Sequence, residues 1–582
     1  MREYFIKGTK LGDRMIPGFR RDIVRDQASP EYGAACTPFK GFGEPGNNGY
    51  IGLLIAAYYN PASAYYRRED VLEDALLGVR YICRKQHPDG TIDLRETNFH
   101  CASTVGFDVQ VLAYAWRLAH RDSGGTRLEK ELEAALFRFL KNGARGMKDG
   151  GFHTPNHRWV LASALALCAN ILGDDGCREM CMRYLAEGID CDENGEYNER
   201  SAGIYNVVNN RSLIIVSEEM GMPELLEHVR RNLRMVPCYF EPDGTVFTMN
   251  STRQDNTKKL YPTAYYENYM LMACKDKSPE FAGIAGWLFD RMERLAAAAP
   301  SDYALCSAVD VPTWLLRMLL DPSLVDTELP EQALPVAYHR FFRDSGIVRG
   351  RREDLSYTIL ANSPVFLAVQ KGTSRVTVRF GSSFYAKGQM ISPEITPIEG
   401  GYRLQYSYSW GYTRPFENGS PTPFWREMDH GARERVLFKT LTMAVEIREQ
   451  DGGLALTFSS RGIDELPAKM EFAFEAGGYW ETPDILTQTR PGDTLLLKQG
   501  SGTYLYDGET FTLSGGCMEH SYTTGMRGTE ANDPARFTVY TTAMGQFEKT
   551  IVIQREIPAA CPFMRAGRVF TVFFHGARPA AR

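Results

Sequence analysis

Residues 154–172, TPNHRWVLASALALCANIL, place an Asn-His pair directly before a long and mostly apolar run. From Trp159 to Leu172 the run is apolar on nearly all sides, which is typical of a helix buried inside a protein. It is too short to cross a bilayer of about 30 Å. The Gly-rich turn KDGG at 148–151 precedes it. The stretch therefore predicts an inner helix whose first residues are polar.

The same arrangement recurs along the first 320 residues. Gly-rich turns contain Gly90, Gly150, Gly195 and Gly244, at spacings of 60, 45 and 49 residues. Each turn leads into a short polar segment, an apolar helix and then an amphipathic helix. A repeat of this length predicts a ring of about six helical hairpins with the apolar helices inside. Because every turn precedes an inner helix, we expect the polar residues after the turns at one end of the ring.

The pattern changes at residues 321–337, which are rich in proline and acidic residues and predict a linker. Beyond them, short runs of alternating hydrophobicity recur between Gly, Asp and Pro turns. Examples are SRVTVRF at 374–380 and FTVYTTA at 537–543. We therefore predict a multidomain protein, α and then β. An incomplete (α/α) toroid over residues 1–325 is followed by a large antiparallel β-sandwich over residues 326–582.

The amino-acid composition excludes some classes of function. The 582 residues are 43% hydrophobic and 24% charged, with a net charge of −6, which excludes a broad basic surface for nucleic acid. No signal peptide or membrane span is visible, so we expect no membrane partner and a cytoplasmic location, or secretion if a leader preceded this sequence. The 12 cysteines include no CxxC motif, and no Cys pair is followed by a His pair at zinc-finger spacing, so a zinc-finger type of site is not indicated. We identify no cofactor and no metal ligands in the predicted catalytic site. A structural metal in the β-half and the oligomeric state stay open.

Four successive turns supply the polar residues that are candidates for the site. They are Asn98 and His100, then Asn156, His157 and Arg158, then Arg200 and Tyr205, and finally Arg253 and Gln254. Each has an ordinary structural explanation, since Asn or His can cap a helix and a lone Tyr more often packs. Together these residue types suit elimination next to a carboxylate. That reaction needs a donor to neutralise the carboxylate and groups that move a proton, and a Tyr needs positive charge nearby to act as a base.

A toroid with Asn-His at the start of an inner helix and a Tyr 48 residues after the His resembles the alginate lyase and heparinase II/III-like polysaccharide lyases. The resemblance implies a toroid with a β-sandwich domain and a carbon–oxygen lyase that acts on polysaccharides. It also implies that Asn156 neutralises a uronate carboxylate and that His157 and Tyr205 form the proton-transfer pair, in either order. The implied partner is an anionic, uronate-containing glycan, bound by Asn98, His100, Arg158, Arg200, Arg253 and Gln254, and the product carries a 4,5-unsaturated uronate end. The β-domain His of many relatives has only a weak counterpart here, His339.

Two other functions fit the same pattern. An inverting glycoside hydrolase on this toroid needs a pair of carboxylates. Its candidates are Asp93, Asp108, Asp149, Glu199 and Asp255. A glycan-binding protein without catalysis is the third possibility. The glycan itself, and endo or exo action, are not indicated by the sequence.

Overall fold

The structure is a computed structural model that describes residues 1–36, 43–44, 46, 48–95, 97–151, 154–328 and 330–555. The chain forms two compact units. One comprises Met1–Ser345 and Arg349–Glu353, and the other comprises Gly346–Val348 and Asp354–Arg582. The last part of the predicted β-sandwich, residues 556–582, lies outside the described residues.

The first unit is helical, apart from one small two-stranded sheet and the extended segment that follows the last helix. The inner helices are α2 (Gly49–Tyr59), α4 (Ala102–Asp122), α6 (Pro155–Leu172), α8 (Tyr205–Met220) and α10 (Tyr266–Asp276). The outer helices are α3 (Glu69–Lys85), α5 (Arg127–Asp149), α7 (Asp175–Leu185), α9 (Leu226–Met235) and α11 (Pro279–Ala298). The remaining elements are α1 (Arg2–Arg21), α12 (Asp302–Ala308), α13 (Leu315–Leu320), α14 (Pro322–Asp326), and the strands β1 (Ile92–Leu94) and β2 (Asn98–Cys101).

These helices form the predicted toroid. Consecutive inner helices pack side by side from α2 to α10, while α13 packs against α2 and α4. On the outside, α3 packs against α5 and α5 against α7, and α1 contacts α11, α12 and α13. Five regular hairpins, completed by α1, α12 and α13, thus account for the predicted ring of about six in the described part of the chain.

The local sequence explains where these helices begin and end. Helix α5 opens with a capping box, in which Thr126 Oγ1 accepts from the Glu129 amide at 3.2 Å and Glu129 Oε2 accepts from the Thr126 amide at 3.0 Å. Helix α6 has Pro155 in its first turn and ends at Gly173, which is left-handed with φ of 65°. The inner helix α6 is buried on almost every side, whereas α5 buries only one face. The predicted division into inner and outer helices is therefore confirmed.

The Gly-rich turns rest on the outer helix of their own hairpin. Gly90, Gly195 and Gly244 are left-handed, with φ of 93°, 98° and 80°. A Cβ on Gly90 would meet the Asn142 carbonyl of α5 at 2.0 Å, and one on Gly195 would meet the Arg231 backbone of α9 at 2.4 Å. Gly150 differs, because its φ is −81°. Glycine at these turns therefore lets the backbone of the turn touch the outer helix.

The second unit is built from antiparallel strands. Its strands are β5 (Leu355–Leu360), β6 (Leu367–Lys371), β7 (Ser374–Ser382), β8 (Ile395–Ile398), β9 (Gly401–Thr413), β10 (Arg435–Gln450), β11 (Gly453–Arg461), β12 (Pro467–Glu475), β13 (Tyr479–Glu481), β14 (Leu486–Gln488), β15 (Thr494–Leu496), β16 (Gln499–Tyr506), β17 (Glu509–Cys517), β18 (Arg536–Met544) and β19 (Phe547–Arg555). The strands β3 (Ala337–Phe342) and β4 (Ile347–Arg352) precede them; β3 belongs to the first unit, and β4 is divided between the two units.

Two sheets pack face to face in this unit. One has the strand order β14-β13-β16-β17-β19-β11-β10-β9-β8, and those strands of the other sheet that lie wholly in this unit run β15-β18-β12-β7-β6-β5. Phe458 of the first sheet contacts Phe380 and Phe472 of the second, with ring centroids 5.3 and 6.3 Å apart. The pairing of β15 with β18 is parallel. The predicted antiparallel sandwich is thus confirmed, with one parallel pair within it.

The helical unit continues past residue 325, the end of the predicted toroid domain. The Tyr338 hydroxyl and Arg349 Nε both donate to the Cys238 carbonyl at 2.8 Å. Arg349 Nη1 also donates to Glu241 Oε1 at 3.1 Å. These contacts tie the segment that follows the proline-rich stretch to the helical hairpins. Among the described helices, none is long and apolar enough to span a membrane.

Replacement of Gly195 by Ala is expected to destabilise the helical unit strongly. The new Cβ would combine left-handed backbone strain with a clash against the Arg231 backbone, which no side-chain rotation relieves. Gly173→Ala is the matched control, because Gly173 is also left-handed but has open space around it. We expect a cost of about 1–2 kcal/mol for the control and about 2 kcal/mol more for Gly195→Ala, measured by calorimetry. Equal melting temperatures for the two variants would contradict this account of the turns.

Candidate active site

The buried carboxylate of Glu199 holds the start of α6. Asn156 donates its backbone amide to Glu199 Oε2 at 3.2 Å and its side-chain Nδ2 to Oε1 at 2.8 Å. Helix α6 has no side-chain cap of its own from Thr154. Glu199, which belongs to the next turn along the chain, therefore satisfies an amide at the helix N-terminus, where a negative charge is also favoured.

The same carboxylate reaches a third turn through Arg253. Arg253 Nε lies 3.2 Å from Glu199 Oε1, and the Arg253 guanidinium lies 4.9 Å from the centroid of the Tyr205 ring. The Tyr205 hydroxyl donates to Gln254 Oε1 at 2.8 Å. Asn156, Glu199, Arg253, Tyr205 and Gln254 thus form one continuous set of contacts, which we call the Glu199 network.

His157 follows Asn156 of this network in the sequence, and its ring is held by residues of α4. Its Nδ1 is 3.1 Å from the hydroxyl of Ser103, which is buried at the start of α4. Its ring meets Phe107 edge-on, with centroids 6.1 Å apart. The contact at Nδ1 fixes how the imidazole sits at the N-terminal end of the ring of inner helices.

The residues of the site differ in how deeply they are buried. Asn156 and Glu199 are buried, whereas His157, Tyr205 and Arg253 are half-buried and Gln254 is exposed. Burial raises the pKa of the Glu199 carboxyl above its ordinary value, while the hydrogen bonds from Asn156 and the charge of Arg253 act against that rise. The arrangement thus has a buried carboxylate and amide below, with an imidazole, a phenol and a guanidinium closer to solvent.

Asn98 and His100 lie at the same end of the ring but make other contacts. His100 has a left-handed φ of 49°, and its Nδ1 pairs with Asp89 Oδ2 at 2.6 Å. Its ring stacks on that of His87, with centroids 3.9 Å apart. Asn98 pairs with Leu94 in the short β1–β2 ladder. The described contacts do not connect these two residues to the Glu199 network.

Arg158 and Arg200 also point to partners outside the network. Arg158 pairs with Glu187 at 2.8 Å and lies over the Trp159 ring, 4.0 Å from its centroid. Arg200, with a left-handed φ of 49°, donates to the Ser345 carbonyl at 3.2 Å. Of the predicted substrate-binding residues, Arg253 and Gln254 contact the predicted catalytic residue Tyr205 among the interactions described for this part of the chain.

Of the five carboxylates considered for a hydrolase, three are buried and accept hydrogen bonds: Asp108, Glu199 and Asp255. Asp108 accepts the Asn48 backbone and side-chain amides at 2.9 and 2.8 Å, which repeats the Asn156–Glu199 pairing. Asp255 accepts from the Gly203 amide at 3.0 Å and from the Ser251 hydroxyl. Asp93 accepts from the His100 amide at 2.9 Å, and Asp149 is exposed.

Sequence reasoning missed Ser103 and placed Glu199 only among the hydrolase candidates. Ser103 stands immediately after the polar segment of its turn, so its position in the repeat was an available signal. Glu199 stands four residues after Gly195 in the turn that also carries Arg200. Within the described residues, no group of three or more His, Cys, Asp or Glu side chains is arranged to hold a metal ion.

Glu196, three residues before Glu199 in the sequence, is a buried acid whose pKa is shifted from its ordinary value. Burial raises its pKa to about 7, although the Tyr239 hydroxyl donates to its Oε2 at 2.7 Å. Between its ordinary value of 4.5 and about 7, the folded state holds a proton that the unfolded state has lost. The contribution of Glu196 to stability is therefore greatest below the lower value and falls as the pH rises through this window.

Glu196→Gln should remove this pH dependence. Between pH 5 and pH 8 the variant is expected to gain about 2–3 kcal/mol in unfolding free energy relative to the unmodified protein. Glu193→Gln is the control, because Glu193 lies in the same turn but is exposed. The measurement is thermal unfolding of the three proteins across this range. An unchanged pH slope in Glu196→Gln would contradict the buried-acid explanation.

No protein-family model matches the sequence, and no curated protein matches it either. The structure, by contrast, is similar to several solved structures. A xanthan lyase from Paenibacillus aligns with a TM-score of 0.55 at 9% identity, covering 96% of this chain and 57% of that one. A chondroitin AC lyase from Streptomyces coelicolor A3 aligns with a TM-score of 0.52 at 12% identity, covering 97% of this chain and 81% of that one.

A heparan sulfate lyase, HepC, from Pedobacter heparinus aligns with a TM-score of 0.46 at 10% identity, covering 87% of this chain and 75% of that one. At these identities the likeness is one of fold, and the two alignments with the higher scores carry it. The chain has the fold of polysaccharide lyases, a helical toroid followed by antiparallel β-sheets, as its sequence predicts.

Proposed function

We propose that this protein is a lyase that cleaves uronate-containing polysaccharides or oligosaccharides by β-elimination. The observation that carries the proposal is the setting of Tyr205, whose ring lies beside the Arg253 guanidinium and whose hydroxyl donates to Gln254. A phenol at this position is a side chain that can act as a general acid or base, and Arg253 beside it is a cation that can pair with an anionic substrate. A chondroitin AC lyase of the same fold has been solved with chondroitin sulphate bound, which supports a glycan as the ligand class.

In the proposed reaction, one proton moves away from the sugar and one returns to the leaving group. Tyr205 or His157 takes the proton from C5 of the uronate. The electron pair left behind forms the C4–C5 double bond as the bond between C4 and the glycosidic oxygen breaks. The departing oxygen receives a proton from the second residue or from the same Tyr hydroxyl, and the product ends in a 4,5-unsaturated uronate.

The carboxylate of the substrate must be neutralised for C5 to lose its proton. Arg253 and Gln254 are the donors of the network nearest to solvent, and we assign them this contact. Asn156 is buried, and one of its side-chain N–H groups is held by Glu199. Its Nδ2 lies 3.4 Å from Thr154 Oγ1, a weak contact that a substrate carboxylate is able to replace. Asn156 takes the neutralising role that the family resemblance implies only when Thr154 moves aside, because its side chain is 0% exposed.

The buried carboxylates count against the hydrolase alternative. An inverting hydrolase needs one acid that protonates the leaving group and one base that activates water. Asp108, Glu199 and Asp255 are 2%, 3% and 0% exposed and accept hydrogen bonds that hold backbone amides. Their loss would first disturb the turns, so the elimination chemistry of Tyr205 and His157 accounts better for this end of the ring.

The proposed reaction is tested by a screen of uronate polysaccharides that follows ultraviolet absorbance. A lyase creates a conjugated double bond and absorbance grows with time, whereas a hydrolase releases reducing ends without that absorbance. Growth in absorbance on at least one uronate glycan is the expected result. Reducing ends without absorbance would favour the hydrolase, and binding without any product would favour a glycan-binding protein.

Tyr205→Phe should reduce kcat on the accepted substrate by about 10²- to 10⁴-fold, because one hydroxyl carries the proton transfer. The substitution keeps the ring beside Arg253, so KM and the melting temperature should change little. The exposed Tyr66, which is 44% accessible, provides the matched control Tyr66→Phe, for which we expect unchanged kinetics. Turnover close to normal in Tyr205→Phe, or a lower melting temperature with normal kcat, would rule out the assigned role.

A further inference from the structure

Strands β9 and β10 extend beyond the rest of their sheet. Strand β8 pairs with β9 only as far as Leu404, and β11 pairs with β10 only from Thr442 onward. In the strand pairings, residues 408–413 and 435–441 therefore have only each other, as a two-stranded ribbon that we call the arm. A two-stranded hairpin gains little stability by itself, so the core of the sandwich does not explain large apolar side chains on the arm.

One face of the arm carries the end of a row of aromatic rings. Tyr406, Tyr408, Trp410 and Tyr412 alternate along β9, so they point to the same face. The ring centroids of Tyr406 and Tyr408 are 6.2 Å apart and those of Tyr408 and Trp410 are 5.9 Å apart, with planes within 1° and 17° of parallel. The first two residues of the row are half-buried, whereas Trp410 and Tyr412 are 47% and 48% exposed. The row thus begins at the sandwich core and ends in solvent.

The other large side chains of the arm have a structural explanation. A Cβ on Gly411 would meet Phe438 Cα at 3.0 Å and Cδ2 at 3.2 Å, so the Phe438 ring covers this glycine. Ser409 and Thr440 join the two strands through a hydrogen bond of 2.8 Å between their hydroxyls. Neither contact accounts for the exposed rings at the end of the row.

Tyr385 holds the arm in place. Its ring meets that of Tyr412 edge-on, with centroids 5.2 Å apart, and its hydroxyl donates to the Leu437 carbonyl at 3.2 Å. Tyr385 and Leu437 are both left-handed, with φ of 48° and 54°, which is unfavourable for side chains of this size. Leu437 lies in a β-bulge, after which Lys439 stands opposite Trp410. The rings and the lysine are therefore held in a fixed arrangement, which lowers the entropy cost of binding a ligand.

Cationic side chains accompany the aromatic row. Lys387 Nζ lies 5.9 Å from the centroid of the Tyr408 ring. Lys439 is the cross-strand partner of Trp410, which places its side chain on the same face as the rings. Arg435, at the start of β10, is exposed. In the part of the chain that the structure describes, none of these three cations forms an ion pair.

The arm itself does not balance this positive charge. Residues 408–413 and 435–441 contain no Asp or Glu. The connecting segment 414–434 has four acids against three arginines, and Glu434 is already paired with Arg414 at 3.1 Å. An anionic ligand would supply the counter-charges that the arm lacks.

A sugar chain with acidic groups fits both features. Pyranose rings have C–H faces that stack on aromatic rings, and their carboxylate or sulfate groups pair with ammonium groups. Lysine is depleted in protein–protein interfaces, so Lys387 and Lys439 beside the rings favour a glycan over a protein partner. We propose that the arm is a glycan-binding surface, on which Trp410 and Tyr412 stack against sugar rings and Lys439 pairs with acidic groups of an anionic polysaccharide. The choice of a glycan rests on the proposed function, whereas binding at the arm does not require turnover.

The test is a binding measurement by isothermal titration on the full chain carrying Tyr205→Phe, so that cleavage does not consume the probe. The probes are hyaluronan, alginate and chondroitin sulphate as anionic glycans, dextran as a neutral glycan, and a single-stranded oligo-dT, which could also stack on aromatic rings. Saturable binding of at least one anionic glycan, weaker at high salt, and no binding of dextran are expected.

Further substitutions in the same protein assign the binding to the arm. Trp410→Ala should weaken glycan affinity about tenfold, and Lys439→Gln should weaken it about threefold. Tyr479→Ala is the matched aromatic control, because Tyr479 lies in the same sheet and is 45% exposed. Lys498→Gln, at another exposed position, is the control for charge. Both controls should leave affinity unchanged, and all four melting temperatures should hold because the sites are on the surface.

Four results would overturn the proposal. They are the absence of anionic glycan binding at millimolar sugar concentration, binding of dextran or oligo-dT as tight as that of the best anionic glycan, equal affinities for Trp410→Ala and Tyr479→Ala, and dissociation of an oligomer by Trp410→Ala in sedimentation velocity. The last result would make the arm an interface between copies of the chain. If Trp410→Ala does not fold, the comparison of Lys439→Gln with Lys498→Gln decides.

The arm and the lyase activity are refuted by different results. Ultraviolet absorbance from the unmodified protein, with unchanged glycan affinity in Trp410→Ala, refutes the arm alone. Weaker glycan binding in Trp410→Ala, without absorbance on any uronate glycan, refutes the lyase alone.

Discussion

The organisation of the candidate site depends on one buried carboxylate. Glu199 accepts two hydrogen bonds from Asn156 and pairs with Arg253, so a single side chain connects three consecutive turns of the ring. Burial of an acid removes its hydration, which is unfavourable unless hydrogen bonds and opposite charges in the protein compensate for that loss. Its partners are the residues that stand beside His157 and Tyr205. The same contacts therefore compensate for the burial of Glu199 and position the two side chains that we propose as the proton-transfer pair.

The Asn–carboxylate pairing recurs in the ring and stabilises the starts of inner helices. Asp108 holds both amides of Asn48 at the start of α2, as Glu199 holds both amides of Asn156 at the start of α6. Asp255 similarly holds the Gly203 amide just before α8. Inner helices leave their first amides inside the protein, away from water, and a neighbouring acid satisfies them. Polar residues at these positions are thus required by the fold, and the candidate catalytic residues lie among them.

The sequence predicts the fold well because the fold rests on local signals. Glycine turns such as those at Gly90 and Gly195, apolar runs such as that of α6, and alternating strands such as β7 are each encoded within a few residues. The site rests on longer distances. The bond from Asn156 to Glu199 joins residues 43 apart, and Ser103 is 54 residues from His157. The repeat indicated which end of the ring carries these residues. It could not show that Arg158 turns towards Glu187, because that choice depends on packing.

The Glu199 network has a consequence for how such a ring changes its ligand during evolution or engineering. Exchange of one turn alone would leave Asn156 without its acid, or Glu199 without its amide, and so leave a buried group unsatisfied. The smallest exchangeable part is therefore a pair of adjacent hairpins with the acid and the amide that connect them. Substrate range in this architecture should diversify through grafts of neighbouring hairpins rather than through single loops.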